Sequence, residues 1–292
     1  MKSIKLWTAL ITPLNEDGSV SFSELEKLIR RQEAAGNGVL ILGSTGEGLA
    51  FSDEEKIKII EFAAGLSLSV PIMAGVGGFN LQQQVDWINH CNSLNVDAFL
   101  VVTPLYAKPG PEGQLHWFKT LLDASQKPCM LYNVPSRTAV KMDPSVLTTL
   151  NGHPNFWSVK EASGSVMEYL NYREAAPEIA FFSGDDALTA FFNVAGCQGL
   201  VSVASNIWPK ATNLYVEQCL TGKTENLFPV WKNAVDALFE VSSPVPAKLL
   251  LREKGVIKSA TLRPPLNENE LKDLSLLIKA DEDINNWYLK NK

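Results

Sequence analysis

Residues 156–164, Phe156-Trp157-Ser158-Val159-Lys160-Glu161-Ala162-Ser163-Gly164, are an apolar run interrupted by a lysine and closed by small loop-forming residues. Period-two alternation places Trp157 and Val159 on one face of a strand and Phe156, Ser158 and Lys160 on the other. Seven further runs share its form: Leu6-Pro13, Gly38-Gly43, Val70-Gly78, Val96-Pro104, Pro128-Pro135, Ile179-Asp186 and Gly199-Ser205. Each ends in Gly, Pro, Ser, Thr or Asp and reads as a buried strand leaving into a loop. Their spacing, roughly 20–35 residues, is what a strand needs when a helix must return the chain for a parallel neighbour.

Helix starts fall between the runs. Ser21-x-x-Glu24 and Ser52-x-x-Glu55 have the pattern of capping boxes, in which serine and glutamate satisfy N–H groups that lack an intrahelical partner. Phe22, Leu25, Leu28 and Ile29 then share one helical face, and Asp143-Pro144 supplies another start. Strand and helix alternating eight times suits an α/β fold of the closed (β/α)8 TIM-barrel kind better than an open sheet of five or six strands. The barrel is expected over residues 1–224. Residues 225–292 lack a comparable strand run, and Val230-Val241 and Asn269-Lys279 have helical period, so a C-terminal helical domain packed on the barrel is expected there.

Composition excludes several classes of function. The 292 residues carry 26 Lys and Arg against 32 Asp and Glu, a net charge of −6, and nucleic-acid phosphates demand a basic face that is missing. No apolar stretch approaches the ~20 residues that span a bilayer. The N-terminus has no small-residue cleavage site, so no leader is read and a cytoplasmic location is expected. Cys91, Cys129, Cys197 and Cys219 are far apart, with no histidine at ligand spacing, and are expected as buried free thiols; no metal or cofactor is expected.

In a barrel the active site lies at the carboxyl ends of the strands. Lys160 would point into the interior there, and loss of hydration favours its neutral, nucleophilic amine, suited to a Schiff base with a carbonyl substrate. On position alone, an ion pair with Glu161 or another rim carboxylate accounts for it equally well. The loop Gly43-Ser44-Thr45-Gly46-Glu47-Gly48 can cradle an anion on backbone N–H groups and hydroxyls, or can simply be a tight turn. Tyr132, sharing a face with Met130, and Arg137, with its carboxylate-matching fork, end the fifth run at the same predicted rim, as does Tyr106 after the fourth. Taken singly, Tyr132 and Arg137 also fit a buried structural tyrosine and a surface arginine.

The chain resembles the dihydrodipicolinate synthase and N-acetylneuraminate lyase family of pyruvate-dependent class I aldolases over essentially its full length. The matching segments are GSTGEG at 43–48, VTPLYAKP at 102–109, YNVPSRT at 132–138, VKEASG at 159–164, SGDD at 183–186, GLVSVASN at 199–206 and PVPAK at 244–248. The resemblance implies that Lys160 forms an imine with pyruvate while Tyr132 relays protons. Thr45 would link Tyr132 to a Tyr106 reaching in from a partner subunit of a homotetramer, a dimer of dimers, although an isolated dimer would suffice. Backbone at Ser44 and Thr45 would hold the pyruvate carboxylate and Arg137 that of aspartate semialdehyde. Gly184 and Val201 would line the pocket through their main chain.

YNVPSRT matches the synthase branch, which feeds the diaminopimelate route to lysine. Another pyruvate aldolase, acting on N-acetylneuraminate or a ketodeoxy sugar acid, and a non-catalytic small-acid-binding barrel are the alternatives. Two departures stand out. Ser44-Thr45 replaces the family's usual Thr-Thr. The positions matching the lysine-feedback site of regulated members are Gly48, Leu49, Asp53, Lys56, Asn80, Gln84 and Leu105. Regulated members place Ser, His, a carboxylate and Tyr among these positions, whereas this chain keeps Asn80 but has Gln84, Leu105 and a cationic Lys56. With acceptors lost and a like charge gained, weak or absent inhibition by lysine is expected.

Overall fold

Eight parallel strands close on themselves in chain order in the computed structural model, which describes residues 4–292. They are β1 (Leu6–Ala9), β2 (Gly38–Ile41), β3 (Ile72–Val76), β4 (Ala98–Val102), β5 (Cys129–Asn133), β6 (Phe156–Glu161), β7 (Ala180–Ser183) and β8 (Gly199–Ser202), with β8 paired back to β1. Each lies within one of the eight apolar runs. The helices α1 (Phe22–Glu33), α2 (Asp53–Gly65), α3 (Leu81–Asn92), α4 (Pro111–Ala124), α5 (Pro135–Thr138), α6 (Pro144–Leu150), α7 (Val166–Ala175), α8 (Thr189–Asn193) and α9 (Pro209–Thr221) alternate with them. The chain continues into α10 (Val230–Leu238), α11 (Val245–Glu253) and α12 (Ser275–Asn291).

Alternation along the strands feeds two concentric cores. In β4, Phe99 and Val101 face the helix layer, whereas Ala98 and Leu100 join Trp7, Leu40, Met73, Met130 and Phe182 inside the barrel. The cylinder is therefore a packed core and not a pore. Removing an outer-layer ring, as in Phe99→Ala, costs about 3–5 kcal/mol.

The expected face of β6 is wrong at its start. Cys129 pairs with Phe156, but the next pair is Met130 with Ser158, so Trp157 is an extra residue in the ladder. This bulge sends Phe156 into the outer layer and turns Trp157 inward, against Trp7 (ring centroids 6.2 Å apart) and Phe182 (5.6 Å). Alternation resumes beyond it. Val159 packs outward, and Lys160 lies inward beside Tyr132.

One of the two capping boxes forms. Ser52 accepts from the Glu55 amide (3.2 Å), and Glu55 accepts from the Ser52 amide (2.9 Å). Ser21 makes no such bond, because Glu24 accepts instead from the Lys258 amide (2.9 Å) and ties α1 to the C-terminal segment. Asp143 caps α6 through the Ser145 amide. The C-terminal helices pack through aromatics: Trp231 of α10 stacks on Tyr215 of α9 (4.2 Å) and meets Trp287 of α12 edge-on (5.2 Å). The helical period expected over Asn269-Lys279 resolves into a short 3-10 turn at Glu268–Glu270 and the start of α12 at Ser275.

Candidate active site

Tyr132, Lys160 and Phe182 are consecutive partners across β5, β6 and β7, each near the carboxyl end of its strand. The lysine is 5% exposed, and its Nζ lies 4.1 Å from the centroid of the Tyr132 ring. Lys160 forms no ion pair among the described residues. Glu161, the neighbour that might have neutralised it, points the other way. Its carboxylate accepts from Asn133 Nδ2 (2.7 Å) and the Ser163 amide (2.7 Å). Burial pushes the Glu161 carboxyl up to about 7 against the lowering effect of those bonds. The rim ion-pair account of Lys160 is thereby removed.

A cavity of about 1010 Å³ opens at this end of the barrel, lined among others by Ser44, Tyr106, Tyr132, Val134 and Arg137. Ser44 is exposed to it at the turn after β2, whereas Thr45 is buried. Arg137 sits in α5, exposed and without an ion pair among the described residues, so its guanidinium is available to an anion. Tyr106 is 90% exposed at a backbone φ of +65°, its ring standing away from the chain's own core. Gly184 and Val201 lie apart from the lining. Val201 is part of the barrel interior, and Gly184 follows β7 directly against the Lys160 stem.

Two carboxylates unassigned from the sequence complete the electrostatics. Burial raises Asp185 to about 6, opposed by a bond from the Gly164 amide (3.1 Å) and by the charge of Lys160. Burial also raises Asp186, which accepts from Ser202 Oγ and from the Val203 (3.1 Å) and Ala204 (3.3 Å) amides and so links the ends of β7 and β8. The SGDD segment at 183–186 was their only signal in the sequence, and it carries no chemistry without the fold. The four cysteines are buried free thiols, with Cys91, Cys129 and Cys219 each pushed up to about 12 by burial. Among the described residues no group of three His, Cys, Asp or Glu converges as a metal site, and no helix is long and apolar enough to cross a membrane.

An unpaired lysine against a tyrosine ring inside a closed eight-stranded barrel is the arrangement a Schiff-base aldolase requires, and the model of the Dihydrodipicolinate synthetase family matches residues 2–280. The chain belongs to this family. The 4-hydroxy-tetrahydrodipicolinate synthase of Francisella philomiragia is 50% identical over 287 residues, 97% of each chain. That of Wolbachia pipientis wMel is 41% identical over 98% of each. Among solved structures, the 4-hydroxy-tetrahydrodipicolinate synthase of Methylacidiphilum fumariolicum SolV superposes with a TM-score of 0.90 at 30% identity, covering 98% of this chain and 97% of that one. The chloride-inhibited dihydrodipicolinate synthase of Acinetobacter baumannii, complexed with pyruvate, gives 0.89 at 30% identity, covering 97% and 99%. Family membership makes this chain an enzyme of the class I aldolase type, built as a TIM barrel with C-terminal helices.

Proposed function

We propose that this chain condenses pyruvate with L-aspartate 4-semialdehyde to 4-hydroxy-tetrahydrodipicolinate, in the cytoplasm, without metal or organic cofactor. The observation that carries the reading is the buried, unpaired Lys160 amine facing Tyr132. Nζ adds to the pyruvate keto carbon, water leaves, and the imine forms. That imine is an electron sink, so loss of a methyl proton gives an enamine whose carbon attacks the aldehyde. The amine of the adduct then displaces Lys160 by transimination and closes the ring. Tyr132 moves the protons, with Thr45 and a partner subunit's tyrosine at position 106 behind it. Ser44 and Thr45 hold the pyruvate carboxylate, Arg137 grips that of the semialdehyde, and Gly184 and Val201 shape the floor.

In this reading residues 1–224 carry the chemistry and 225–292 cover the barrel. Several large apolar side chains are exposed, among them Leu49, Phe79, Tyr106, Met167 and Val194, which supports self-association into the dimer of dimers of this reading. Sedimentation tests that assembly.

Borohydride reduction in the presence of pyruvate tests the chemistry. A mass increase on Lys160 is expected, and its absence in Lys160→Ala. Turnover of pyruvate with aspartate semialdehyde should exceed cleavage of N-acetylneuraminate or ketodeoxygluconate. The reverse preference would make the chain a different pyruvate aldolase, and no adduct at all would make it a binding protein.

A further inference from the structure

The loop that presents Ser44 and Thr45 is strained and crowded. Leu42 and Glu47, neither of them glycine, occupy left-handed conformations at φ +60° and +56°, where a side chain is unfavourable. Gly48 packs so closely that a Cβ there would lie 2.1 Å from the Leu42 carbonyl oxygen. Local bonds, from Thr12 Oγ1 to the Gly46 carbonyl (2.8 Å) and from the Gly48 amide to the Gly43 carbonyl (3.1 Å), close the turn. A backbone held in such conformations persists only where its surroundings over-determine it.

The remaining restraint comes from the far end of the chain. Glu47 Oε1 lies 2.5 Å from Nζ of Lys248 in α11, and the side chains are 2% and 0% exposed. Lys248 Nζ also donates to the Thr261 carbonyl (2.8 Å), and the second oxygen of Glu47 accepts from the Arg263 amide (2.7 Å). Arg263 in turn pairs with Glu55 and lies over the Phe51 ring, 5.0 Å from its centroid. Burial pushes the Lys248 ammonium below its ordinary range, with Glu47 opposing. A pair of well-packed apolar residues would commonly be as stable as this buried ion pair, so stability does not account for it. What an ion pair adds is directional constraint, and it is applied two residues from Thr45.

We infer that the buried Glu47–Lys248 pair is a positioning device through which the C-terminal helical segment holds the Ser44-Thr45 loop in the geometry that binds the substrate carboxylate. The inference rests on the reading that this loop holds pyruvate. Removing one charge leaves the other buried beside the cavity, and the route by which it regains water moves the loop.

The test compares Glu47→Gln, Lys248→Met and the double variant with Ile284→Ala, a buried α12 residue outside the network. Each single variant is expected to raise the KM for pyruvate by about ten- to a hundredfold, since a misplacement of ~1 Å can cost ~100-fold. The double variant leaves no uncompensated charge but also lacks the pair, so it should regain melting temperature while its KM for pyruvate stays raised; recovery of KM in it would show that the pair is not what positions the loop. Ile284→Ala should lower the melting temperature without moving KM. If the single variants lose melting temperature but keep the wild-type KM, the pair is merely structural and the inference fails. Should they not fold, Glu47→Asp and Lys248→Arg keep both charges while changing reach, and an unchanged KM in both overturns the inference equally. Gly46→Ala separates the two readings, because its Cβ would lie 2.9 Å from the Leu10 carbonyl oxygen and so shifts the loop backbone directly. If it raises the pyruvate KM while the ion-pair variants do not, only this inference fails; if it too leaves KM unchanged, the loop does not hold pyruvate and both readings fall.

Discussion

Gly184→Ala should disable Lys160 without touching any functional group. The amide of Gly184 donates to the Glu161 carbonyl (2.6 Å), which brings its backbone against the end of β6. An added Cβ would lie 2.5 Å from Ala162 Cβ, 2.9 Å from Lys160 Cε and 3.0 Å from the Glu161 carbonyl oxygen. Carbon atoms pack best at about 3.5–4.0 Å, so relief of roughly 1 Å is required. Ala162 has no rotamer to turn and Glu161 is held in the β5–β6–β7 ladder, which leaves the Lys160 stem to swing. Overpacking of this kind costs about 1–3 kcal/mol of stability. Displacing the nucleophile by ~1 Å should lower the rate of adduct formation with pyruvate about 100-fold, or roughly 2.7 kcal/mol. The assay is the time course of borohydride-trapped adduct beside a melting curve. Gly65→Ala, where a Cβ meets open space, is the control. Wild-type trapping kinetics in Gly184→Ala would refute the assigned contact between Gly184 and the lysine stem.

Three other outcomes are expected. Arg137→Ala should leave folding and the pyruvate adduct intact, because the side chain is exposed and unpaired, yet lower kcat/KM for aspartate semialdehyde about 10- to 100-fold, the worth of a charge-assisted bond; unchanged kinetics would remove Arg137 from its role. Lysine should inhibit weakly or not at all, because the Lys56 ammonium stands 3.0 Å from Asp53 and occupies the charge that a bound lysine would need; half-inhibition at sub-millimolar lysine in a coupled assay contradicts this. Stability should fall as pH rises through neutrality on account of Glu161. Its carboxyl is raised from 4.5 to about 7 by burial, so the contribution is full below pH 4.5 and lost as pH passes about 7, at most about 3 kcal/mol. Asp185, raised to about 6, acts in the same direction. Glu161→Gln should therefore show a smaller drop in melting temperature between pH 5 and pH 8 than wild type, and an equal drop would count against it.

The barrel was legible because strand burial is a local property of composition. Eight apolar runs bounded by loop residues became eight strands, and two of the three helix-start signals formed as read. That Lys160 and Tyr132 both face inward followed from period two together with closure of the barrel, and their pairing across β5 and β6 brings them together. The failures share a cause. Trp157 turned inward because the β5–β6 ladder skips a residue, and a bulge leaves no mark in the alternation of a single strand. Glu24 left its capping box because Lys258 offered a tertiary donor.

Charged residues that a pattern assigns to solvent account for the remainder. Glu47 and Lys248 each appeared in a matching segment, GSTGEG and PVPAK, but nothing local indicates that two charges so distant in sequence are buried against each other. The energetic logic runs opposite to that of the apolar runs. An apolar residue is buried wherever a core is near, whereas an ammonium is buried only where a specific carboxylate and carbonyl already wait. For Lys248 those partners are Glu47 and the Thr261 carbonyl, which exist as a site only once α11 has docked on the finished barrel. The same dependence makes this contact informative about function. The appendage that supplies the lysine reaches the loop that lines the same cavity as Tyr132, so under the proposed function a change in how α11 packs should be felt at the turn of Ser44 and Thr45.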